Sequence, residues 1–397
     1  MTNEQEYTSI THQTELDAYC QKILANSDIS WIAIDTEFVR VDTYFPELSL
    51  VQIQDCLGNT ALIDPIAISE NATSDKPLHS LSTLLADTGT TKVFHSARQD
   101  IEVLYLIENI MPQNIFDTQI AAIFRKHGEL AGFARVIQAE LNVELDKSQT
   151  RTNWHARPLS EQQINYALDD VRYLAPLYEA YLELLSPSEL KAVKQDCDQM
   201  LDESIYKPNP TLAGQKIKNV KNLRSKGLAI VNTLAQWREN YAITNNQPKK
   251  WVMSDEVIVS IAKRPPKTEQ ALYKVPNIKA SSVKEFGEAW IELIDAVFAS
   301  DSSEFPTPKA KPKKISVEEE TIMHFLSSYI QQVALEYGLV SNHIISKNQL
   351  LEWLRNPSIT PLIGWRAVLV GEDIKDLMSG KAELKIHNRQ IQLTQSH

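Results

Sequence analysis

The sequence predicts an α/β domain with a mixed sheet flanked by helices, followed by two small all-α domains. Through residues 1–206, short apolar segments rich in β-forming residues alternate with segments of helical periodicity, which is typical of an α/β sheet. Beyond residue 226 the pattern is helical, and a segment rich in proline and lysine divides this part in two. A chain of 397 residues is also too long for one compact core, which agrees with several domains.

Four segments of the first domain are predicted strands because each is a short run rich in β-forming residues. They comprise residues 31–34, 48–53, 59–63 and 91–94. The turn sequence Asp55-Cys-Leu-Gly58 separates the second strand from the third, so these two strands are expected to form a hairpin. A helical stretch follows the fourth strand and extends to residue 107.

The last long helix of this domain is predicted to begin after Ser160. The Ser160 side chain can cap the helix and Gln163 can complete a capping box. Apolar residues then recur at helical spacing: Ile164, Ala167, Leu168, Val171 and Leu174. Pro176 is expected to kink the helix or to end its straight part.

Changes in composition predict the domain boundaries. We expect an α/β domain at residues 1–206 and a basic linker at 207–226. A first helical domain at 227–302, a Pro/Lys linker at 303–315 and a second helical domain at 316–397 are expected to follow. The basic linker contains no acid and carries Lys207, Lys216, Lys218, Lys221, Arg224 and Lys226. It is either a solvated connector or a strip that guides phosphate groups. Two helical domains of similar size, each behind such a linker, suggest a degenerate internal repeat.

Charge and cysteine content limit the class of protein. A formal net charge of −11 argues against a protein that coats nucleic acid through a broad basic surface, but suits an enzyme whose carboxylates hold metal ions. The cysteines Cys20, Cys56 and Cys197 are far apart and form no CxxC pair, so neither structural zinc nor a disulfide framework is expected. Residues 1–13 lack the pattern of a signal peptide, and no apolar run is long enough to span a bilayer. We therefore expect a cytoplasmic protein that makes no membrane contact.

The first candidate site residues are Asp35 and Glu37. Both follow directly on a predicted buried strand, and residues two apart on a strand point to the same side. Two carboxylates on one face repel each other, and a divalent cation turns that repulsion into binding. Hard oxygen ligands of this kind suit Mg²⁺ or Mn²⁺. By itself, a D-x-E pattern is also compatible with an ordinary polar strand end.

A second candidate pair, Tyr166 and Asp170, lies on the last long helix. Residues four apart share a helix face, so a phenol and a carboxylate are presented together beside the apolar stripe. A carboxylate at that border needs a partner, which a metal held by Asp35 and Glu37 would supply. Asp169 is expected to be more exposed. The alternative is an amphipathic helix with a surface aspartate.

The third candidate is Asp100, in the first turns of the helix that follows the fourth strand. A carboxylate at this position can be aimed at the carboxyl edge of the sheet. The alternative is an acid that stabilises the helix N-terminus, and Glu102 competes for the same role.

Together these residues resemble the DEDD exonuclease superfamily in its tyrosine-containing branch. The surrounding sequence is similar to the bacterial ribonuclease D family over essentially the whole chain, through the segments AIDTEFVR (33–40), TYFP (43–46), LIDP (62–65), FDTQ (116–119), LDKS (145–148) and WHARPL (154–159). The resemblance implies a ribonuclease H-like nuclease domain followed by two HRDC modules, of which the first is the clearer match.

The resemblance also implies a reaction. It is the removal of nucleotides from the 3′ end of RNA, with tRNA precursors as the typical substrate and nucleoside 5′-monophosphates as the product. Two divalent ions, Mg²⁺ or Mn²⁺, would be held by Asp35, Glu37 and Asp170 at one position and at the other by Asp35, with Asp100 supporting that ion directly or through water. Because a free tyrosine has a pKa of about 10, Tyr166 is expected to orient the attacking water, or to lose its proton only when metal and substrate are in place. We also expect a monomer.

Four further residues are candidates for substrate binding. Phe38 would stack on the terminal base or pack in the core. Gln52 and His95 would reach the terminal ribose or fill structural polar roles, and Arg157 would contact phosphate. Asp117 is expected to be a helix N-cap and no metal ligand, and Trp154 is expected to be a core residue.

The sequence is also compatible with two other functions. A DNA exonuclease of the same superfamily would use the same carboxylates, since only contacts to the 2′-OH distinguish RNA from DNA. A non-catalytic RNA-binding protein with the nuclease fold is the other alternative. The complete set of five catalytic residues argues against it, because a binding module has no need of crowded carboxylates.

Overall fold

The computed structural model describes residues 7–146, 148–307 and 314–395. Part of the predicted Pro/Lys linker, residues 308–313, lies outside the described residues. The chain divides into two compact units. The first comprises Met1–Val39, Leu48–Glu203 and Lys314–His397, and the second comprises Arg40–Glu47 and Ser204–Lys313.

The first unit contains the α/β domain, in which strands and helices alternate as predicted. Its strands are β1 (Thr8–Ile10), β2 (Trp31–Val39), β3 (Glu47–Asp55), β4 (Thr60–Ile63), β5 (Thr91–Phe94) and β6 (Ile115–Asp117). Its helices are α1 (Gln13–Ala25), α2 (Pro65–Glu70), α3 (His79–Ala86), α4 (Arg98–Tyr105), α5 (Thr118–Phe124), α6 (Phe133–Leu141), α7 (Glu161–Leu184) and α8 (Pro187–Met200).

The six strands form one mixed sheet in the order β1-β4-β3-β2-β5-β6, which confirms the predicted fold class. Strand β3 pairs antiparallel with β4, as the Asp55–Gly58 turn predicts, while β1–β4, β2–β5 and β5–β6 are parallel pairs. All four predicted strands are present, and β2 continues beyond its apolar start to Val39. The three-residue strands β1 and β6 were not predicted, because so short a segment shows no periodicity.

Helix α7 begins with the predicted capping box. The Ser160 hydroxyl accepts a hydrogen bond from the Gln163 N–H at 3.2 Å, and the Gln163 side chain accepts one from the Ser160 N–H at 3.0 Å. The helix continues past Pro176 to Leu184. Its apolar face packs with β3 and β4 in a buried cluster of Leu50, Leu62, Trp154, Ala167 and Leu168, which confirms Trp154 as a core residue.

The second unit is helical, with α9 (Ser225–Thr244), α10 (Lys249–Val252), α11 (Asp255–Lys263), α12 (Glu269–Leu272) and α13 (Ala280–Ala299). The buried Arg238 of α9 donates hydrogen bonds to the Met253 carbonyl and the Asp255 carboxylate, both at 2.8 Å, which fixes α9 to the start of α11. Within the same unit, the Tyr44 hydroxyl donates to Glu239 at 2.5 Å.

The segment 207–226, expected to be a linker, contributes to the core of the second unit. Its 3₁₀ helix, Pro210–Lys216, packs against α9, and Ala213, Ile217 and Leu223 are buried. A Cβ at Gly214 would lie 2.7 Å from the Asn232 Cα, so only glycine fits this contact. The basic side chains between these apolar residues are exposed.

The last part of the first unit, residues 314–395, is called here the C-terminal module. It contains α14 (Val317–Tyr337), α15 (Ser341–Ile344), α16 (Lys347–Arg355), α17 (Gly364–Arg366), a π-helical segment at Ala367–Gly371 and α18 (Glu372–Ser379). An antiparallel hairpin of β7 (Ala382–His387) and β8 (Gln390–Gln395) ends it, where only helices were expected. Its two turn residues, Asn388 and Arg389, have φ of 50° and 64°, as a tight two-residue hairpin turn requires.

No helix within the described ranges combines the length and the apolar character that crossing a bilayer demands.

Candidate active site

Strand β2 and helix α7 bring three carboxylates together. Asp35 and Glu37 lie on the same face of β2, and Asp170 approaches them from α7. Each offers one oxygen, and these oxygens all lie within 4.8 Å of one another. Over the described chain this is the one cluster of His, Cys, Asp and Glu side chains with such a spacing.

Asp100 lies beside this cluster, at the first turn of α4. It is buried, with 8% of its surface exposed, and accepts a hydrogen bond of 2.5 Å from the Thr36 hydroxyl. Thr36 lies between Asp35 and Glu37 on β2, so the strand both carries two acids and fixes a third. Asp100 is therefore in the predicted site, although it does not belong to the group of three closely spaced carboxylates.

Burial and mutual repulsion raise the pKa values of these acids. Burial raises the pKa of Asp35 well above its usual range, and the Asp170 carboxylate adds to the rise. Burial, with Asp35 next in importance, raises the pKa of Glu37 to about 10. Burial and Asp169 raise the pKa of Asp170 to about 8, and burial and Asp35 raise that of Asp100. Such shifts follow when crowded carboxylates have no cation to balance them.

The acids line a cavity of about 240 Å³ together with Phe38, His95 and Phe133. Tyr166 also lines it, as predicted. Burial raises the pKa of Tyr166 far above its ordinary value, and Asp170 adds to that rise. A phenol with such a pKa keeps its proton at neutral pH, which favours the orientation of water over proton abstraction.

His95 is fixed by contacts to the protein. Its Nδ1 lies 2.9 Å from the Thr118 hydroxyl, and its Nε2 lies 2.8 Å from the Ala131 carbonyl oxygen, which can only accept a hydrogen bond from the ring N–H. Burial lowers the pKa of His95, so the neutral ring is favoured. Since both nitrogens have protein partners, the ring forms a fixed wall of the cavity beside Phe133, whose ring centroid is 5.2 Å away.

Two predicted substrate-binding residues are not part of the cavity. Gln52 lies on β3 with none of its surface exposed, so it cannot reach a ribose. Arg157 forms a bidentate ion pair with Asp64, at 2.5 and 2.9 Å, and donates to the Ser49 carbonyl at 2.6 Å. The Asp64 carboxylate also caps α2. Arg157 therefore holds a structural position instead of the predicted phosphate contact.

Asp117 does more than the predicted capping of α5. It accepts hydrogen bonds from the Gln119 N–H at 2.8 Å and from the Ser96 and Ala97 N–H groups, both at 2.9 Å. Ser96 has a φ of 67°, a conformation that non-glycine residues rarely adopt. Asp117 thus stabilises the turn that leads into α4 and places Asp100. The sequence shows the cap but not this contact, because the two segments meet only in the folded sheet.

The chain is similar to known nucleases along nearly its whole length. A family profile described as 3′-5′ exonuclease matches residues 7–186, and an HRDC domain profile matches residues 227–294. Ribonuclease D of Zymomonas mobilis is 31% identical over 393 residues, covering 97% of this chain and 97% of the relative. Ribonuclease D of Bartonella henselae is 32% identical and covers 97% and 93% of the two chains.

A solved structure agrees with these relatives. The crystal structure of Escherichia coli RNase D, described as an exoribonuclease involved in structured RNA processing, has a TM-score of 0.79 and 28% identity, covering 95% of this chain and 99% of that one. The fold, the carboxylate cluster and the relatives agree, and the chain belongs to the ribonuclease D family of 3′→5′ exoribonucleases.

Proposed function

We propose that this chain removes nucleotides from RNA 3′ ends by a two-metal-ion mechanism and releases nucleoside 5′-monophosphates. The observation that carries the proposal is the cluster of Asp35, Glu37 and Asp170, whose oxygens lie within 4.8 Å of one another. An arrangement of like charges this close is unfavourable by itself and becomes favourable when cations bind.

The donor set fits divalent ions. In the part of the chain described, the nearest charged groups that act on Asp35 and Glu37 are other carboxylates, which supply hard oxygen ligands. Such ligands suit Mg²⁺ and Mn²⁺. Asp35, Glu37 and Asp170 would hold one ion, and Asp35 with Asp100 would hold the other. The raised pKa values fit this assignment, because a bound cation offsets both the burial and the repulsion that raise them.

When bound, the ions supply a hydroxide nucleophile and neutralise charge on the scissile phosphate and the leaving 3′ oxygen. Side chains of the protein position the attacking water, the metal ligands and the terminal base. Tyr166 keeps its proton and donates it in a hydrogen bond that orients the attacking water. Thr36 holds Asp100 by the 2.5 Å hydrogen bond. Phe38, which lines the cavity, stacks on the terminal base, a contact that tolerates every sequence.

We further propose tRNA precursors and other structured RNAs as substrates. The description of the Escherichia coli relative as an enzyme of structured RNA processing supports this class. The net charge of −11 argues that RNA is engaged at its 3′ end in a confined site instead of along a broad surface. The cytoplasmic location and the monomeric state stay predictions, which cell fractionation and light scattering can test.

The test is an exonuclease assay on a 3′-extended tRNA and on a DNA strand of the same sequence. Each substrate is incubated with Mg²⁺, Mn²⁺ or a chelator. We expect stepwise shortening of the RNA alone, released as 5′-monophosphates, and no shortening with chelator or with Asp35→Ala. Degradation of both substrates at equal rates would indicate a nuclease that does not distinguish ribose from deoxyribose. An Asp35→Ala variant as fast as the wild type would refute the site.

A further inference from the structure

The loop between α5 and α6, residues 125–132, contacts the C-terminal module through Glu129. One carboxylate oxygen of Glu129 lies 2.6 Å from His343 Nδ1, and the other accepts from Arg366 Nη2 at 3.3 Å. Arg366 also donates to the His343 carbonyl at 2.7 Å, so the two partners of Glu129 are already joined to each other. Glu129 and Arg366 are 24% and 32% exposed, whereas His343 is half exposed, so the Glu129–Arg366 part of this network is partly shielded from solvent.

Two other residues of the loop face the same module. Lys126 pairs with Glu336 at 2.6 Å, but both side chains are half exposed, so the pair adds little. A Cβ at Gly128 would lie 2.8 Å from the Gly338 carbonyl oxygen, so the backbones meet closely. Lys126 and Gly128 have φ of 63° and 85°. The left-handed conformation of Lys126 is unfavourable for a side-chain-bearing residue, and ion pairs with α6 as well as contacts to the C-terminal module stabilise the shape of this loop.

The C-terminal module has a separate anchor on α8. The buried Asp196 carboxylate accepts a hydrogen bond of 2.8 Å from the Trp365 N–H. A Cβ at the preceding Gly364, which has a φ of 57°, would overlap this carboxylate. Arg366 follows directly in sequence, so the anchor on α8 places the residue that contacts Glu129.

The opposite side of the loop supports the catalytic cavity. The Ala131 carbonyl oxygen lies 2.8 Å from His95 Nε2 and also accepts from Gln119 Nε2 at 3.1 Å. Phe133 begins α6 two residues later and stands against the His95 ring. Both rings line the cavity that contains the carboxylates. Only one residue separates Glu129 from Ala131, so the loop contacts the C-terminal module and the cavity wall through nearly adjacent residues.

We propose that Glu129 is a positioning residue through which the C-terminal module holds the His95–Phe133 wall for the terminal nucleotide of RNA. The proposal rests on the proposed function of the cavity. The carboxylates lie on β2, α4 and α7 and not on the loop, so the loop governs the fit of the substrate more than the bond-breaking step. Loss of the Glu129 contacts therefore raises KM and leaves kcat and metal affinity nearly unchanged.

The experiment compares Glu129→Ala with the matched control Glu336→Gln, which removes the exposed ion pair of the same loop. KM and kcat are measured on a 3′-extended RNA, with Mn²⁺ affinity and amide hydrogen exchange of residues 125–133. For Glu129→Ala we expect a rise in KM of roughly threefold to thirtyfold, kcat within about twofold, and faster exchange in the loop. Glu336→Gln should resemble the wild type.

A variant of the C-terminal module, Arg366→Lys, distinguishes loss of the Glu129 contact from a folding defect. Arg366→Lys keeps the charge but loses the paired geometry, so it should raise KM in the same direction and by less. Unchanged KM and exchange in Glu129→Ala would overturn the proposal, as would an equal loss in Glu336→Gln. If the wild type does not shorten RNA, the proposed function fails instead. The exchange data alone still decide whether Glu129 controls the loop.

Discussion

Two acidic regions of the α/β domain differ in how their charge is balanced. Asp64 faces Arg157 in a bidentate pair and accepts two N–H groups at the start of α2. Asp35, Glu37 and Asp170 instead face one another, and within the described chain no Lys, Arg or His forms an ion pair with them. Removing the cation from a balanced, partly buried acid destabilises the fold, whereas unbalanced acids in a cavity have oxygens that can bind a cation.

The largest expected effect distinguishes two neighbouring residues of α7. Asp170→Asn should lower kcat/KM on RNA by more than about a hundredfold, because even residues that merely support metal ligands contribute ten- to a hundredfold. The matched control is Asp169→Asn, since Asp169 is 40% exposed and lies 3.7 Å from Arg172. Steady-state kinetics measure both variants. Equal losses in the two would show that the cluster has no special role.

Substitution in the balanced pair of Asp64 and Arg157 should lower the stability of the fold and leave catalysis unchanged. Arg157→Ala leaves Asp64 partly buried and without its cation, so the free energy of unfolding should fall by about 3 kcal/mol. Activity per folded molecule should stay close to that of the wild type. Urea denaturation and kinetics on the same preparation provide the measurement. A fully stable Arg157→Ala protein with weakened RNA binding would restore the phosphate role that the sequence predicted.

A smaller loss of activity is expected when the hydrogen bond from Thr36 to Asp100 is removed. Thr36→Val removes the hydroxyl that donates to Asp100 at 2.5 Å and keeps nearly the same volume. We expect activity to fall about tenfold and Mn²⁺ affinity to fall with it. Calorimetric titration beside kinetics checks both. Thr118→Val, which alters the His95 contact instead, is the control that should leave metal affinity intact.

The last prediction concerns the pH dependence of stability in the metal-free protein. Carboxyl groups of the unfolded chain have a pKa of about 4. In the fold the pKa rises to about 10 for Glu37 and to about 8 for Asp170. The folded state therefore binds more protons between these values, and stability falls as the pH rises from about 4 towards 10. In chelator, Asp170→Asn should show a flatter decline up to about pH 8. An identical slope in both proteins would contradict the assigned repulsion.

The sequence predicted much of the fold because its strongest signals are local. The four longer strands of the mixed sheet, the capping box at Ser160 and the shared face of Asp35 and Glu37 each depend on spacing within one element. The terminal hairpin also carried a usable signal, since apolar and polar residues alternate through β7 and β8. The helical pattern of the residues before it nevertheless predicts a helical domain for the whole segment.

Where the structure differs from the expectations, the partners concerned are distant in sequence. Arg157 meets Asp64, 93 residues away, and no pattern near Arg157 shows that its charge is already balanced. Gln52 follows a strand alternation that gives its face but not its depth in the sheet. The basic segment 207–226 looks like a linker by composition, yet its few apolar residues complete a helical core. Burial of this kind depends on tertiary packing, which the spacing of residues does not encode.

The most direct test of the unbalanced cluster is a calorimetric titration of the metal-free protein with Mn²⁺ at neutral pH. We expect saturable binding that becomes tighter as the pH rises, because protons compete for the same carboxylates. Asp35→Asn should lose this binding, while Asp64→Asn, once shown to be folded, should keep it. Binding to Asp35→Asn as tight as to the wild type would contradict the assignment of Asp35, Glu37 and Asp170 as the metal site.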